Sequence, residues 1–149
     1  MGVSEVKTES NKKDVGVDAG IRFERVYLEG ADVKRCGKLG KGVKVVAKVD
    51  MRVFTRSTKR RAYVREVFKI TGIPEGREKP LYKMEFGMVA EYKTSREIGD
   101  KEENELASDR GMRDIFPYAR DFVQAMTVSM GMPSLVMVGY SPEWANSCR

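Results

Sequence analysis

Between Val43 and Tyr92 the chain alternates apolar and polar residues three times over, and that two-residue period leaves little choice of secondary structure. Val43, Val45, Ala47, Val49, Met51 and Val53 point one way, while Lys44, Lys48, Asp50 and Arg52 point the other. Ala62, Val64, Phe68 and Ile70 share one face of Arg61–Thr71. Tyr82, Met84, Phe86, Met88, Ala90 and Tyr92 then alternate with Lys83, Glu85, Gly87, Val89 and Glu91. A basic turn, Arg56–Arg60, and a reversal marked by Pro74, Gly76 and Pro80 separate the segments, which predicts an antiparallel meander. Ile21–Leu28 supplies a fourth strand. There Ile21 and Phe23 share one face and Val26 and Leu28 the other, so a bulge near Glu24 and Arg25 is expected to re-aim it. Glu29 to Gly42 carries four glycines and several charges and reads as a long mobile connection.

One strongly marked helix follows. Thr94 to Arg113 is polar, with a single helical turn expected around Glu102–Leu106. Asp114 then reads as an N-cap and Pro117 as a first-turn residue, where its missing N–H costs nothing. Ala119, Phe122, Val123, Met126 and Met130 draw one apolar stripe. Gly131 is placed to end the helix in the left-handed conformation, and Pro133 prevents its continuation. Ser141-Pro142-Glu143-Trp144 begins a second, short helix before the sequence ends.

Sheet and helix do not match in area. Four strands of about 8 residues make a sheet about 19 Å by about 27 Å, whereas one helix covers a band roughly 10 Å wide. About half of the apolar sheet face would stay wet in a lone subunit, more than the few hundred Å² a monomer usually exposes. Self-association, with helices sandwiched between sheets, is the expected remedy.

Composition narrows the function. The net charge of +6 suggests acidic partners. There is no histidine, which removes the commonest general base and metal ligand. Cys36 and Cys148 have no CxxC partner, so neither a zinc site nor a disulfide framework is expected. Glu85 and Glu91 share a strand face without a cleft, and GKLGKG at Gly37–Gly42 lacks the ending of a phosphate-binding loop. No enzyme activity and no cofactor or metal are therefore expected. No apolar run reaches membrane-spanning length and the first residues lack a signal-peptide pattern, so a cytoplasmic protein with no membrane partner is expected. Residues 1–20, rich in Lys, Glu, Ser and Gly, read as a disordered arm ahead of one domain spanning 21–149.

Phe116-Pro117-Tyr118-Ala119-Arg120, followed after a helix by Gly131, Pro133 and Leu135, resembles the signature of the SecB export-chaperone family. Arg25-Val26-Tyr27 matches that family's first-strand Arg-Ile-Tyr, and the resemblance covers roughly Ile21 to Met137. It implies an α+β fold: a four-stranded antiparallel sheet, one long C-terminal helix packed in the oligomer, and a short second helix. It also implies a homotetramer, a dimer of dimers, with Ile21, Phe23, Phe116, Tyr118, Phe122 and Met126 at the oligomer interface. The implied function is ATP-independent binding of non-native polypeptides, precursors for export among them. By position the family's groove residues fall on Tyr27, Tyr82, Phe86, Tyr92, Leu135, Met137 and Trp144. An aromatic in an alternating strand is ordinarily core, so Tyr27 and Trp144, at element ends, stand out. Nine methionines suit adaptable binding.

The sequence also departs from the family. The second helix is cut to a stub ending Asn146-Ser147-Cys148-Arg149. Members that deliver cargo to the SecA motor carry acidic residues on the outer sheet face. Here the matching positions lie near Gly30, Lys34 and Lys83, with only Glu85 retained. Outward Lys44, Lys48, Arg52, Arg61, Arg65 and Lys69 outnumber Asp50, Glu85 and Glu91, and such a face repels a basic docking element. Docking to SecA in the usual way is therefore not expected. A dedicated chaperone of an antitoxin, from a toxin–antitoxin pair, is the narrower alternative. From another class, Arg56, Lys59, Arg60 and Arg61 beside Tyr63 outline a basic nucleic-acid-binding hairpin; balanced charge elsewhere weighs toward a solvated turn instead.

Overall fold

The computed structural model describes residues 20–137, and the arm and the Trp144 segment lie outside them. Four strands form one antiparallel sheet: β1 (Ile21–Arg35), β2 (Val45–Ser57), β3 (Arg61–Pro74) and β4 (Tyr82–Thr94), in the order β1-β4-β3-β2. The meander β2–β3–β4 is as the alternation requires, and β1 joins it against β4.

The expected bulge is present. Register slips between Phe23 and Arg25, and the slip brings both apolar pairs to one face: Ile21, Phe23, Val26 and Leu28 oppose Thr94, Tyr92, Ala90 and Met88. A second slip between Leu28 and Gly30 keeps Ala31 and Val33 on that same face, against Phe86 and Met84. The strand thus continues to Arg35, and the mobile connection expected from Glu29 is only its last part. Pairing with β4 outweighs the low strand propensity of Gly30 and Asp32.

The helix departs most from expectation. It begins at Asp100, where Arg96 forks onto Glu102 at 2.9 and 2.8 Å and Glu102 accepts the Gly99 amide at 3.3 Å. Asp100, Glu102 and Glu103 place negative charge on the exposed amides of the first turn. α1 (Asp100–Glu105) runs through a π-helical segment (Leu106–Gly111) into α2 (Met112–Ser129). Asp114 is therefore no cap, and Pro117 lies inside α2 with its ring toward solvent. Burial explains why the chain stays helical. Gly111, Ile115, Ala119, Val123 and Thr127 form a buried series at four-residue steps. Leu106, also buried, precedes it by five, the step that a π turn supplies.

The π segment lies against β2 and β3, and α2 against β4 and β1, so the helix crosses the sheet. Beneath it Phe68 and Phe86 stack at 4.8 Å, and Phe122 closes on Phe86 at 4.5 Å. Fully burying each such ring contributes about 1.5–3 kcal/mol. The helix ends as the sequence predicts: Gly131 has φ 73°, its amide donates to the Val128 carbonyl, and the Met132 amide donates to the Thr127 carbonyl, both at 3.0 Å.

Close approach of helix to sheet depends on Gly111, where an added Cβ would lie 2.6 Å from Cγ1 of Val64. Val64 is fully buried and stiff at χ1. Gly111→Ala should destabilise the fold by about 1–3 kcal/mol despite its better helix propensity. A urea midpoint equal to or above that of the parent chain would contradict this packing.

Candidate functional site

Among the described residues, three surfaces on the helix side of the sheet remain open. The first is the flank of α2, where Tyr118 is 48 % exposed and Val128 59 %, with Phe122, Met126 and Met130 half-buried beside them. The Met stripe expected from sequence is thus divided: Ala119 and Val123 face the sheet, and the rest borders solvent. The second is the inner rim of β1, where Phe23 and Leu28 are exposed. The third is the inner face of β2, where Val45, Ala47, Val49 and Val53 are only half-buried against the core that also receives Leu135 of the crossover after the helix.

The crossover is fixed rather than loose. Thr127, fully buried, donates to the carbonyls of Val123 and Gln124 at 3.0 Å and accepts the Leu135 amide at 3.1 Å. Met132 and Met137 anchor its ends in the core, while Val136 projects outward.

The two edges of the sheet differ. β1 is interrupted by bulges at Glu24 and Glu29, the interruptions by which edges usually discourage pairing. β2 runs 13 residues without a register slip or a proline, and its free side has no strand neighbour among the described residues. A depression of about 650 Å³ is lined by five successive residues of that edge, Asp50–Phe54. Such an edge offers backbone donors and acceptors to an extended chain, with apolar side chains on one side.

The groove residues expected from sequence do not come together. Tyr82, Phe86 and Tyr92 are buried in the core of the single subunit, their rings taken up by packing. Leu135 and Met137 lie in the crossover. Tyr27 lies on the opposite, outer face, 38 % exposed, in register with Val89. Trp144 falls outside the described residues. Of the expected interface residues, Ile21 and Phe116 are buried within the subunit, whereas Phe23 and Tyr118 are exposed.

A buried polar group escaped the sequence reading. Glu66 sits on the apolar face of β3, opposite Val53 and Met88, and is only 2 % exposed. Its Oε2 has no hydrogen-bond partner, and burial pushes its carboxyl up to about 8. Nearby, the Tyr92 hydroxyl donates to Asp114 Oδ2 at 2.7 Å, and the Arg110 guanidinium lies 5.3 Å from the centre of the Tyr92 ring. Burial and that hydrogen bond raise the Tyr92 hydroxyl well above its ordinary range. Glu85 and Glu91 make no catalytic pair. They are six residues apart on one strand, about 20 Å, and Glu91 is held by Arg61 at 2.6 Å and Arg25 at 3.3 Å. Among the described residues no three His, Cys, Asp or Glu side chains converge as metal ligands would, and no helix is long and apolar enough to cross a membrane.

This arrangement, a four-stranded antiparallel sheet crossed by one long C-terminal helix, is the SecB-like chaperone fold. A solved structure that shares it is the Mycobacterium tuberculosis Rv1957 SecB-like chaperone in complex with a ChAD peptide from the Rv1956 HigA1 antitoxin. The two align with a TM-score of 0.78 over 84 % of this chain and 94 % of that one, at 13 % identity. A protein of unknown function from Streptococcus agalactiae aligns with a TM-score of 0.39 and 9 % identity, over 80 % of this chain and 97 % of that one. No family model and no curated protein sequence matches.

Glu66 makes stability depend on pH. Its folded-state carboxyl keeps a proton to about pH 8, whereas in the unfolded chain it loses it near 4.5. The native state then binds one more proton at this site over that interval, so the Glu66 contribution to stability falls as pH rises from 4.5 to 8 and is level outside it. Glu66→Gln should remove that slope and exceed the parent in stability by about 2–4 kcal/mol at pH 8.5, with little difference at pH 4. Paired urea titrations at the two pH values measure it; parallel curves for parent and variant would contradict the assignment.

Proposed function

We propose that this protein is an ATP-independent molecular chaperone that holds non-native polypeptide segments and serves one dedicated client, such as an antitoxin, in preference to many exported precursors. The observation that carries the chaperone reading is the long, unbroken edge of β2 beside its own half-buried apolar residues. An extended segment laid there gains backbone hydrogen bonds and apolar contact together, which requires no nucleotide and no bond chemistry. Leu135 and Val136 are proposed as a further part of this polypeptide surface.

The dedicated role is favoured by two observations. The structure with the same fold contains an antitoxin peptide. The outer sheet face is dominated by cations, so it opposes a basic export motor. Precursor handover to SecA in the family's usual way is accordingly not expected.

We further propose that the subunit assembles as a homotetramer, a dimer of dimers, through Phe23, Tyr118, Phe122 and Met126. Exposed Tyr118 and Val128 on the helix, with Phe23 and Leu28 on the rim of β1, are the apolar surface such an assembly would dry.

Three measurements test this reading. Light scattering should return four times the 16.9 kDa chain mass, and Tyr118→Asp should lower it; a monomeric parent chain would contradict the assembly. At several-fold molar excess without nucleotide, the protein should suppress aggregation of a denatured polypeptide, and Val136→Asp should weaken that activity about tenfold with the fold retained. Unimpeded aggregation would count against a chaperone. Capture from the native host should yield one dominant small protein; a broad set of precursors would favour the general role over the dedicated one.

A further inference from the structure

The outer face of the sheet, away from the helix, carries a second construction that the chaperone reading does not use. Register brings Tyr27 of β1, Val89 of β4, Arg65 of β3 and Phe54 of β2 into one row across all four strands. The neighbouring row reads Arg25, Glu91, Tyr63 and Arg56. Each of the three rings has a guanidinium over it, so ring and arginine plane form one stack: Arg25 at 5.2 Å from the centre of Tyr27, Arg56 at 4.7 Å from Tyr63, and Arg65 at 5.4 Å from Phe54. Tyr27 and Phe54 are 38 % and 46 % exposed. A depression of about 390 Å³ joins the rings. On its far side the next row pairs Gly30 with Gly87, where an added Cβ would meet nothing closer than 3.9 Å, so the floor is flat and open.

Charge accompanies the rings. At the adjoining end of the same face Arg22, Lys93 and Arg61 form a row of cations, extended by Lys59 and Arg60 in the β2–β3 turn. Three carboxylates interrupt this field: Glu24 pairs with Lys93 and Arg61, Glu29 with Arg65, and Glu91 with Arg61 and Arg25. The cations outnumber them. The sequence shows the basic hairpin beside Tyr63, but only the register of four strands brings Tyr27 and Phe54 to it.

We propose that this outer face binds a single-stranded nucleic acid, with Tyr27, Phe54 and Tyr63 stacking unpaired bases and the cationic end neutralising phosphates. Arginine planes and aromatic rings are the two surfaces on which exposed bases stack. An acidic peptide would satisfy the charges and leave the rings without partners. A duplex keeps its bases away from a flat sheet. The two tyrosines lie on the face opposite the apolar polypeptide surface and outside the β2 edge, where Phe54 alone borders both, so the tyrosine variants test this site apart from the other.

The test is fluorescence anisotropy of a labelled oligouridylate of about 20 nucleotides, titrated with the full chain at several salt concentrations. Binding is expected in the micromolar range and should weaken steeply with salt, by about −0.7 in log–log slope per phosphate contacted. Tyr63→Ala and, separately, Tyr27→Ala should each weaken binding about tenfold with the salt slope unchanged, and Tyr63→Phe should restore it. Arg60→Gln should instead reduce the slope. Absence of binding at low salt would overturn the proposal. So would equal affinity for a duplex or a polyglutamate peptide with no effect of either tyrosine variant, which would reveal a plain polyanion or acidic-peptide surface.

Discussion

One helix must dry one face of a sheet four strands wide, and most of this structure follows from how it does so. The solution is length and a diagonal path: α1 and the π segment serve β2 and β3, and α2 serves β4 and β1. A regular helix would carry Leu106 out of phase with the buried series that begins at Gly111. The π turn inserts the extra residue, and the small residues Gly111, Ala119 and Thr127 let the helix lie close. The flank that remains, Tyr118, Phe122, Met126 and Val128, is left half-buried or exposed by the described residues.

Much of this was legible in the residues. The alternation fixed three strands, the conflict of faces in Ile21–Leu28 located a bulge, and Gly131 with Pro133 located the helix end. The start of the helix was not legible. Polar residues from Thr94 to Arg113 mask a periodicity that the π turn also interrupts, and Pro117 looked like a beginning because interior prolines are costly. The second half of β1 was missed for a related reason. Its apolar residues are few and out of step across a second bulge, and only the partner strand organises them.

The candidate surface was read less well than the fold. Aromatics at Tyr82, Phe86 and Tyr92 have the pattern of a core strand, and they are core. Glu66 was passed over because a charged residue in an alternating strand suggests solvent, yet its position between Val64 and Phe68 already placed it inward. The open edge of β2 and the rings of the outer face depend on strand order and register, which periodicity alone does not give.

The Gly131 turn has a geometric consequence for whatever follows it. Two crossed amide contacts and one backbone inversion set the heading of the departing polypeptide within a few bonds, and Thr127 clasps it again at Leu135. Residues 132–137 therefore leave the helix along a defined bearing, held at the turn and again at the clasp, and loss of either hold would let them swing about the other.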